Sequence, residues 1–229
     1  MKKLFLLSFL LLATATAFAQ TSAFVDNAQR YEFMDGKTII KMNCNGIATV
    51  KNQQNDFGRH YETVMYVTNG KKENYFQGVI HKDTLRQISA RRTSKTVFSS
   101  YVWDGDTIVR YDMKTEFKAN YDDMPKTFII NENTVDLCGL IYQLRRGTPA
   151  RTLENETLLI DQGTLPLSDV EVFDNGQTLS YSIKIGNGYH ISSRIRKDES
   201  RTPEYLDIDI PGFTTKASLV EHGSRIALR

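Results

Sequence analysis

Short turn dipeptides divide this chain at short intervals, and they constrain its fold more than any other feature of the sequence. Each dipeptide separates runs that are rich in Val, Ile, Thr, Tyr and Phe. The dipeptides are Asp35-Gly36, Asn45-Gly46, Asn69-Gly70, Asp104-Gly105, Asn175-Gly176 and Asn187-Gly188. Because Asn, Asp and Gly tolerate the positive φ of type I′ hairpin turns, the series predicts consecutive antiparallel hairpins.

The runs between these turns are predicted to be strands. In residues 178–185 apolar and polar residues alternate strictly, and such a strand buries one face and exposes the other. The predicted strands are residues 37–42, 47–51, 60–68, 73–81, 95–103, 107–113, 115–121, 127–130, 170–173, 178–185, 189–196, 205–210, 215–220 and 225–228.

Residues 134–146 have the period of a helix instead. Asn133 is the predicted N-cap, Gly147 suits a left-handed C-cap, and Pro149 is predicted to stop the helix. The apolar residues at the i, i+3, i+4 and i+7 positions are Leu137, Leu140, Ile141 and Leu144. We therefore predict a mostly β protein with one helix near residues 134–146. Its sheet is predicted to be antiparallel and curved, forming a sandwich or a partly open barrel built from consecutive hairpins.

The first nineteen residues have the features of a secretory signal peptide. Lys2 and Lys3 precede an apolar run at residues 4–12, and Ala17-Phe18-Ala19 is a small-residue cleavage site. The run is too short to span a bilayer, and Gln20 does not offer the cysteine of a lipoprotein. We therefore predict cleavage after Ala19 and a soluble periplasmic protein that is not transmembrane. Residues 20–229 are predicted to form a single β-rich domain.

Charge and cysteine content argue against several kinds of site. The chain has 29 Lys and Arg against 27 Asp and Glu, and residues 1–19 hold two of those lysines and no acid. The mature chain is therefore neutral and lacks the electrostatic footprint of a nucleic-acid-binding protein. Cys44 and Cys138 are too far apart for a CxxC motif. They form either one disulfide or two buried thiols.

No motif with catalytic chemistry occurs in the sequence. The histidines have no HxH, HxxH or HExxH spacing, and neither a GxSxG elbow nor a Gly-rich phosphate loop is present. We therefore predict no catalytic residue, no metal site and no cofactor. The enzymatic alternative is a hydrolase whose site is assembled in space from dispersed residues such as His81, Asp83 and Ser99.

Aromatic residues are concentrated between positions 57 and 128. On strands they form a core or cross-strand pairs, or they line a concave face that accepts a lipid tail, a glycan or a peptide. The predicted ligand-binding residues are Tyr66, Tyr75, Tyr101, Trp103 and Tyr111. Trp103, the only tryptophan, is the natural reporter of such binding.

The helical segment 135–145 resembles a motif in a family of exported Gram-negative proteins, the domain of unknown function 3108 family. Leu137 and Gly139 depart from that motif, where the family has Pro and Ser. The matching positions are Asp136, Tyr142, Leu144 and Arg145, with Tyr31, Gly46 and the closing segments 210–211, 223–224 and 227–228 outside the helix. The resemblance implies an exported β-rich domain without an assigned activity.

Three functions are consistent with these patterns. The first is a non-enzymatic periplasmic binding or envelope-maintenance protein whose partner is a lipid or other apolar ligand, a glycan or an envelope protein. The second is the dispersed hydrolase. The third is a structural interaction module that adds a partner strand at an exposed sheet edge.

Overall fold

One large sheet and two short helices make up the part of the chain that the structure describes. The structure is a computed structural model, and it describes residues 29–36, 38–48, 60–68, 73–81, 84–93, 97–104, 106–114, 126–130, 133–160 and 163–224. The strands are β1 Gln29–Asp35, β2 Thr38–Ala48, β3 His60–Thr68, β4 Glu73–His81, β5 Gln87–Thr93, β6 Val97–Asp104, β7 Thr107–Lys114, β8 Lys126–Ile129, β9 Thr134–Val135, β10 Thr157–Ile160, β11 Gly163–Asp174, β12 Thr178–Ile185, β13 Tyr189–Arg196, β14 Pro203–Ile210 and β15 Phe213–Ser224. The helices are α1 Leu137–Arg146 and α2 Ala150–Leu153.

The strands follow the order β8-β7-β6-β5-β4-β3-β2-β1-β15-β14-β13-β12-β11-β10-β9. Two runs of consecutive hairpins therefore meet where β1 pairs with β15. Every neighbouring pair is antiparallel except β9 and β10, which are parallel. The prediction of a mostly β, antiparallel, curved sheet built from consecutive hairpins is confirmed, and the sheet does not close on itself.

Helix α1 lies on the inner side of this curved sheet. It contacts β3 and β4 in one half of the strand order and β10 and β13 in the other half. A helix of ten residues touches such distant strands only because the sheet bends around it. The predicted apolar stripe of α1 is fully buried in the main core, together with inner-face residues of strands from both halves.

The two ends of the sheet overlap. Leu158 and Leu159 are neighbours on β10, and Leu158 belongs to the main core whereas Leu159 packs on a second cluster formed by Ala90, Tyr101 and Ile108. Both faces of β10 are therefore covered. The indole N–H of Trp103 on β6 donates a hydrogen bond of 3.0 Å to the backbone oxygen of Thr134 on β9. The β9–β10 end thus packs against the inner face of the β5–β7 end.

Several predicted boundaries were wrong. Asn45-Gly46 is not a turn between two strands, because β2 continues through it with a bulge. The strand prediction missed β1, β5, β9 and β10 and most of β11. The Asn69-Gly70 turn, the strands predicted at 115–121 and 225–228, and the segment 1–19 lie outside the described residues.

The helix begins later than predicted. Asp136, and not Asn133, is the N-cap, and its side chain accepts a hydrogen bond from the Gly139 N–H. Gly147 adopts the predicted left-handed conformation with φ of 78°. Helix α1 ends at Arg146, before Pro149, and Pro149 occupies the N-cap position of the short helix α2, which was not predicted. None of the helices among the described residues has the length and apolar content needed to cross a membrane.

The two cysteines are buried and form no disulfide. Cys44 pairs in register with Thr63 on β3, and Thr63 pairs with Gly78 on β4. A Cβ atom built on Gly78 would approach Cys138 Cβ to 2.9 Å, so Cys138 lies above β4. Strand β3 therefore lies between the positions of the two thiols. Of the two alternatives, a disulfide or two buried thiols, the structure contains the buried thiols.

Candidate functional site

The five predicted ligand-binding aromatics lie on opposite faces of the sheet. Cross-strand partners project to the same side of a sheet, so the register assigns each residue to a face. Tyr101 and Trp103 belong to the inner face, where their partners are Arg110 and Ile108. The other three, Tyr66, Tyr75 and Tyr111, belong to the outer face. The structure therefore does not bring all five into one site.

The two inner aromatics are occupied by contacts within the protein. Tyr101 is 3% exposed, and the guanidinium of Arg110 lies 5.6 Å from its ring centroid. Trp103 packs on the same cluster and donates its indole N–H to Thr134. These contacts hold the overlapping sheet ends together, which makes Tyr101 and Trp103 structural residues in this arrangement.

The interior beside these aromatics has little free space. The space lined by Phe76, Ala90, Tyr101, Leu159 and Ile210 has a volume of about 20 Å³. A volume of that size accommodates roughly one water molecule. It has no room for a lipid tail or a sugar ring, because ligand pockets typically have volumes of about 300–1,000 Å³.

The three outer tyrosines share a surface that we call the tyrosine face. Tyr66 and Tyr111 are 44% and 48% exposed, and Val102 on β6 is exposed as well. Tyr66, Tyr75, Thr93 and Phe98 are successive cross-strand partners on β3, β4, β5 and β6. Phe98 is half-buried. The tyrosine face is the outer side of β3–β7 and is defined by Tyr66, Tyr75, Phe98, Val102 and Tyr111.

A ring contact and hydrogen bonds hold Tyr66 and Tyr75 in place on the tyrosine face. The rings of Tyr66 and Tyr75 meet edge to face with centroids 5.9 Å apart. The Tyr75 hydroxyl donates to Gln77 Oε1 over 3.1 Å, and Gln77 Nε2 donates to the carboxylate of Glu62. Partial burial, and then the negative charge of Glu62, raise the pKa of Tyr75. Tyr75 therefore stays a neutral hydroxyl at physiological pH.

The outer side of the second half of the sheet has a different character. Ion pairs cover β12–β15 there, so we call it the ion-paired face. They are Lys184–Asp169 at 2.7 Å, Arg194–Glu204 at 3.0 Å, Arg196–Glu204 at 2.8 Å and Lys216–Asp207 at 3.4 Å. Phe173 is exposed on this side, but its register neighbours are Ser180 and Arg194. Phe173 therefore has polar neighbours, whereas the rings of Tyr66 and Tyr75 on the tyrosine face are in contact with each other.

The structure does not assemble the dispersed hydrolase from the residues that it describes. Ser99 lies on the inner face, where its hydroxyl donates to Asp112 Oδ1 over 2.7 Å. His81 follows the buried Ile80 on β4 and therefore belongs to the outer face. Asp83 lies outside the described residues. In the described parts of the chain, no group of three or more His, Cys, Asp or Glu is close enough to hold a metal ion.

Sequence analysis missed a buried carboxyl group at the start of α1. The Oδ1 atom of Asp136 accepts the Gly139 N–H over 2.8 Å, and the Asp136 N–H donates to Gln87 Oε1 over 3.4 Å. A Cβ atom on Gly78 would lie 2.5 Å from Asp136 Oδ1, and one on Gly139 would lie 2.2 Å from Gln87 Oε1. Two glycines therefore make the room that lets this carboxyl pack between helix and sheet.

Burial raises the pKa of Asp136 from 3.8 to about 7, although hydrogen bonds from Gly139, Cys138 and Gln87 lower it. Between about pH 4 and pH 7 the folded state therefore binds this proton more tightly than the unfolded state. The resulting stabilisation is complete below pH 4 and is lost as the pH rises through about 7. A pKa difference of that size changes the free energy of unfolding by at most about 4 kcal/mol between low and high pH.

We predict that Asp136→Asn removes this contribution to the pH dependence. Asparagine keeps the oxygen that caps Gly139 but does not ionise, so the variant should be more stable than the wild type at pH 8. Urea denaturation at several pH values between 4 and 8 measures both free energies of unfolding. Parallel pH profiles for the two proteins would contradict a raised pKa at Asp136.

Comparisons with known proteins give little further information. No protein-family model matches the chain, and no curated protein matches it. A crystal structure of a β-barrel-like protein of the domain of unknown function 1849, from Brucella abortus, is similar with a TM-score of 0.46 and 10% identity. The match covers 89% of this chain and 100% of the other. The resemblance to the domain of unknown function 3108 family therefore stays a prediction.

Proposed function

We propose that this protein is an exported, non-enzymatic binding protein of the periplasm whose partner is an envelope protein bound on the tyrosine face. The observation that carries the proposal is a set of outer residues on neighbouring strands, of which Tyr66, Val102 and Tyr111 are exposed. It contrasts with the ion-paired outer face of the same sheet and with the inner aromatics Tyr101 and Trp103, which contact other residues of the protein.

The composition of the tyrosine face supports a protein partner. Tyrosine, phenylalanine and arginine are enriched at protein–protein interfaces, where tyrosine combines a large apolar ring with a polar hydroxyl. Arg91 is exposed on the outer face. Its cross-strand partners are Gln77 and Ser100, and Ser100 pairs in turn with Tyr111. It adds a guanidinium, which is the other side chain that frequently dominates binding energy.

The shape of the tyrosine face supports a large partner over a small one. Because the sheet bends around α1, its outer side is convex. Small ligands bind in concave sites that bury most of their surface, and a convex face offers no such enclosure. A protein supplies its own complementary surface and excludes water from the tyrosines at the centre of the contact.

Export is tested by the mass of the mature protein. We expect the protein recovered from the periplasmic fraction to begin at Gln20, because residues 1–19 have the charge, the apolar run and the cleavage site of a signal peptide. Intact-mass spectrometry decides this. A retained Met1 or a lipid adduct would contradict the proposed soluble periplasmic location.

The binding surface is tested by photo-crosslinking in intact cells. A photoreactive phenylalanine derivative replaces Tyr66 or Tyr111 on the tyrosine face, and in a control it replaces Tyr205 on the ion-paired face. We expect a discrete, protease-sensitive adduct from the first two positions and not from the third. Tyr75→Ala should reduce the adduct formed at Tyr66 by at least about fivefold, because Tyr75 packs against that ring.

Other results of the same experiment would overturn the proposal. Equal adducts from Tyr66 and Tyr205 would show that the tyrosine face is not selective. Adducts that resist protease but disappear with a muramidase or a phospholipase would assign the face to a glycan or a lipid. Absence of any adduct from Tyr66 and Tyr111 in correctly exported protein would remove the face as an interaction surface.

A further inference from the structure

A second buried carboxyl group lies where α1 meets the overlapping end of the sheet. Glu156 directly precedes β10, and its backbone oxygen accepts the Leu167 N–H over 3.1 Å. Its side chain is buried and hydrogen-bonded to the side chain of Gln143 on α1, which is buried as well. Two atoms of this pair, Glu156 Oε2 and Gln143 Oε1, have no hydrogen-bond partner among the described residues.

Both of these atoms are acceptors when Glu156 is ionised. A carboxylate has no hydrogen to donate, and an amide oxygen only accepts. Two buried acceptors without donors are costly, since each loses its hydration without replacing it. A single proton on Glu156 Oε2 removes both deficits, because the resulting O–H donates to Gln143 Oε1 while the Gln143 NH₂ group donates to the other carboxyl oxygen.

We propose that Glu156 is protonated in the folded protein and forms with Gln143 a two-hydrogen-bond acid–amide pair, a proton-dependent latch between helix α1 and β10. Loss of the proton leaves one hydrogen bond and places an unpaired negative charge in the core. The latch therefore holds in acidic surroundings and weakens as the pH rises through about 7. Through this latch, the contact between the overlapping ends of the sheet responds to pH.

The electrostatic surroundings agree with this state. Burial raises the pKa of Glu156 from 4.5 to about 7, and the hydrogen bond from Gln143 is the influence that lowers it. Charged residues on the adjoining elements are Arg145 and Arg146 on α1, Arg151 on α2, Glu154 in the following turn, and Asp169 and Glu171 on β11. None of these charges is among the causes of the shift in Glu156.

The test follows the Glu156 carboxyl directly and then its effect on folding. In mature protein labelled with ¹³C at glutamate carboxyls, we expect the resonance that disappears in Glu156→Gln to titrate near pH 7. Glutamine keeps both hydrogen bonds with Gln143 but does not ionise. We therefore expect the unfolding equilibrium constant to rise between pH 5 and pH 8 about 70-fold more in the wild type than in Glu156→Gln.

Controls separate the latch from general effects. Glu171→Gln, at an exposed position on β11, should leave the pH profile of the wild type unchanged. Gln143→Leu should lower the stability at pH 5, where the pair is complete, more than Glu156→Gln does. A Glu156 resonance that titrates near 4.5, or equal pH profiles for the wild type and Glu156→Gln, would overturn the proposal.

Discussion

Arg145→Ala is expected to destabilise the protein by about 3–5 kcal/mol, because the guanidinium is completely buried and serves three separate oxygens. Its Nη2 atom donates to the Tyr31 hydroxyl over 2.9 Å and to the Ser200 oxygen over 3.4 Å. Its Nε atom donates to the oxygen of Arg201 over 3.2 Å. Truncation removes the donor to the buried Tyr31 hydroxyl and to the two half-buried carbonyl oxygens, and it leaves a cavity beside α1.

Arg145 also holds a strained turn. Arg201 has a φ of 46°, a left-handed conformation that costs energy for a residue with a side chain. The hydrogen bond from Arg145 to its carbonyl group fixes that turn against α1, while the guanidinium lies 5.3 Å from the centroid of the Tyr31 ring. The loss of Arg145 should therefore loosen both the 198–202 turn and β1.

Urea denaturation of Arg145→Ala and Arg146→Ala measures this difference. Arg146 is the next residue on α1 and is only half-buried, so its truncation should cost no more than about 1 kcal/mol. Arg145→Lys should fall between them, since an ammonium group lacks the planar fork that reaches several acceptors. Similar midpoints for the two alanine variants would show that Arg145 is not the anchor of α1.

Leu140→Ala is expected to cost about 2–5 kcal/mol, as deletion of a buried leucine side chain does in a close-packed core. Leu140 is fully buried and belongs to the main core cluster together with Leu137, Ile141 and Leu144. The curved sheet surrounds this part of α1, so the neighbouring side chains have little freedom to fill the space that the substitution leaves.

The size of this effect separates a core helix from a binding surface. Val102→Ala, which truncates an exposed apolar residue on the tyrosine face, should change the free energy of unfolding by less than about 0.5 kcal/mol. Denaturant unfolding of both variants gives the comparison. If Leu140→Ala unfolded at the wild-type midpoint, the stripe on α1 would have to be exposed in solution.

Local patterns predicted much of the fold. The turn dipeptides and the two-residue alternation led to hairpins with one buried face, and the spacing of apolar residues located α1 to within three residues at its start. Several strands were missed, and so was the bulge at Asn45-Gly46 in β2. The reason is that a turn-forming dipeptide also suits a bulge, and only pairing with β3 decides between them.

The candidate site shows where such prediction ends. Sequence analysis grouped Tyr66, Tyr75, Tyr101, Trp103 and Tyr111 because they are aromatic and close along the chain. Alternation within β6 shows that Tyr101 and Trp103 lie on the same face of the sheet. Whether residues of β3 lie on that face too depends on the register of the strands between β3 and β6. The structure therefore moved the candidate surface from a concave interior to the outer tyrosine face.

The sequence by itself determined the antiparallel hairpins, the amphipathic helix α1 and its left-handed cap at Gly147, because these depend on residues within a few positions of one another. Only the tertiary structure decided that the sheet ends overlap, that Trp103 joins them, and that Asp136, Arg145 and Glu156 are buried. Burial and raised carboxyl pKa values arise from contacts between residues that are distant along the chain. The local spacing of apolar and polar residues carries no information about such contacts.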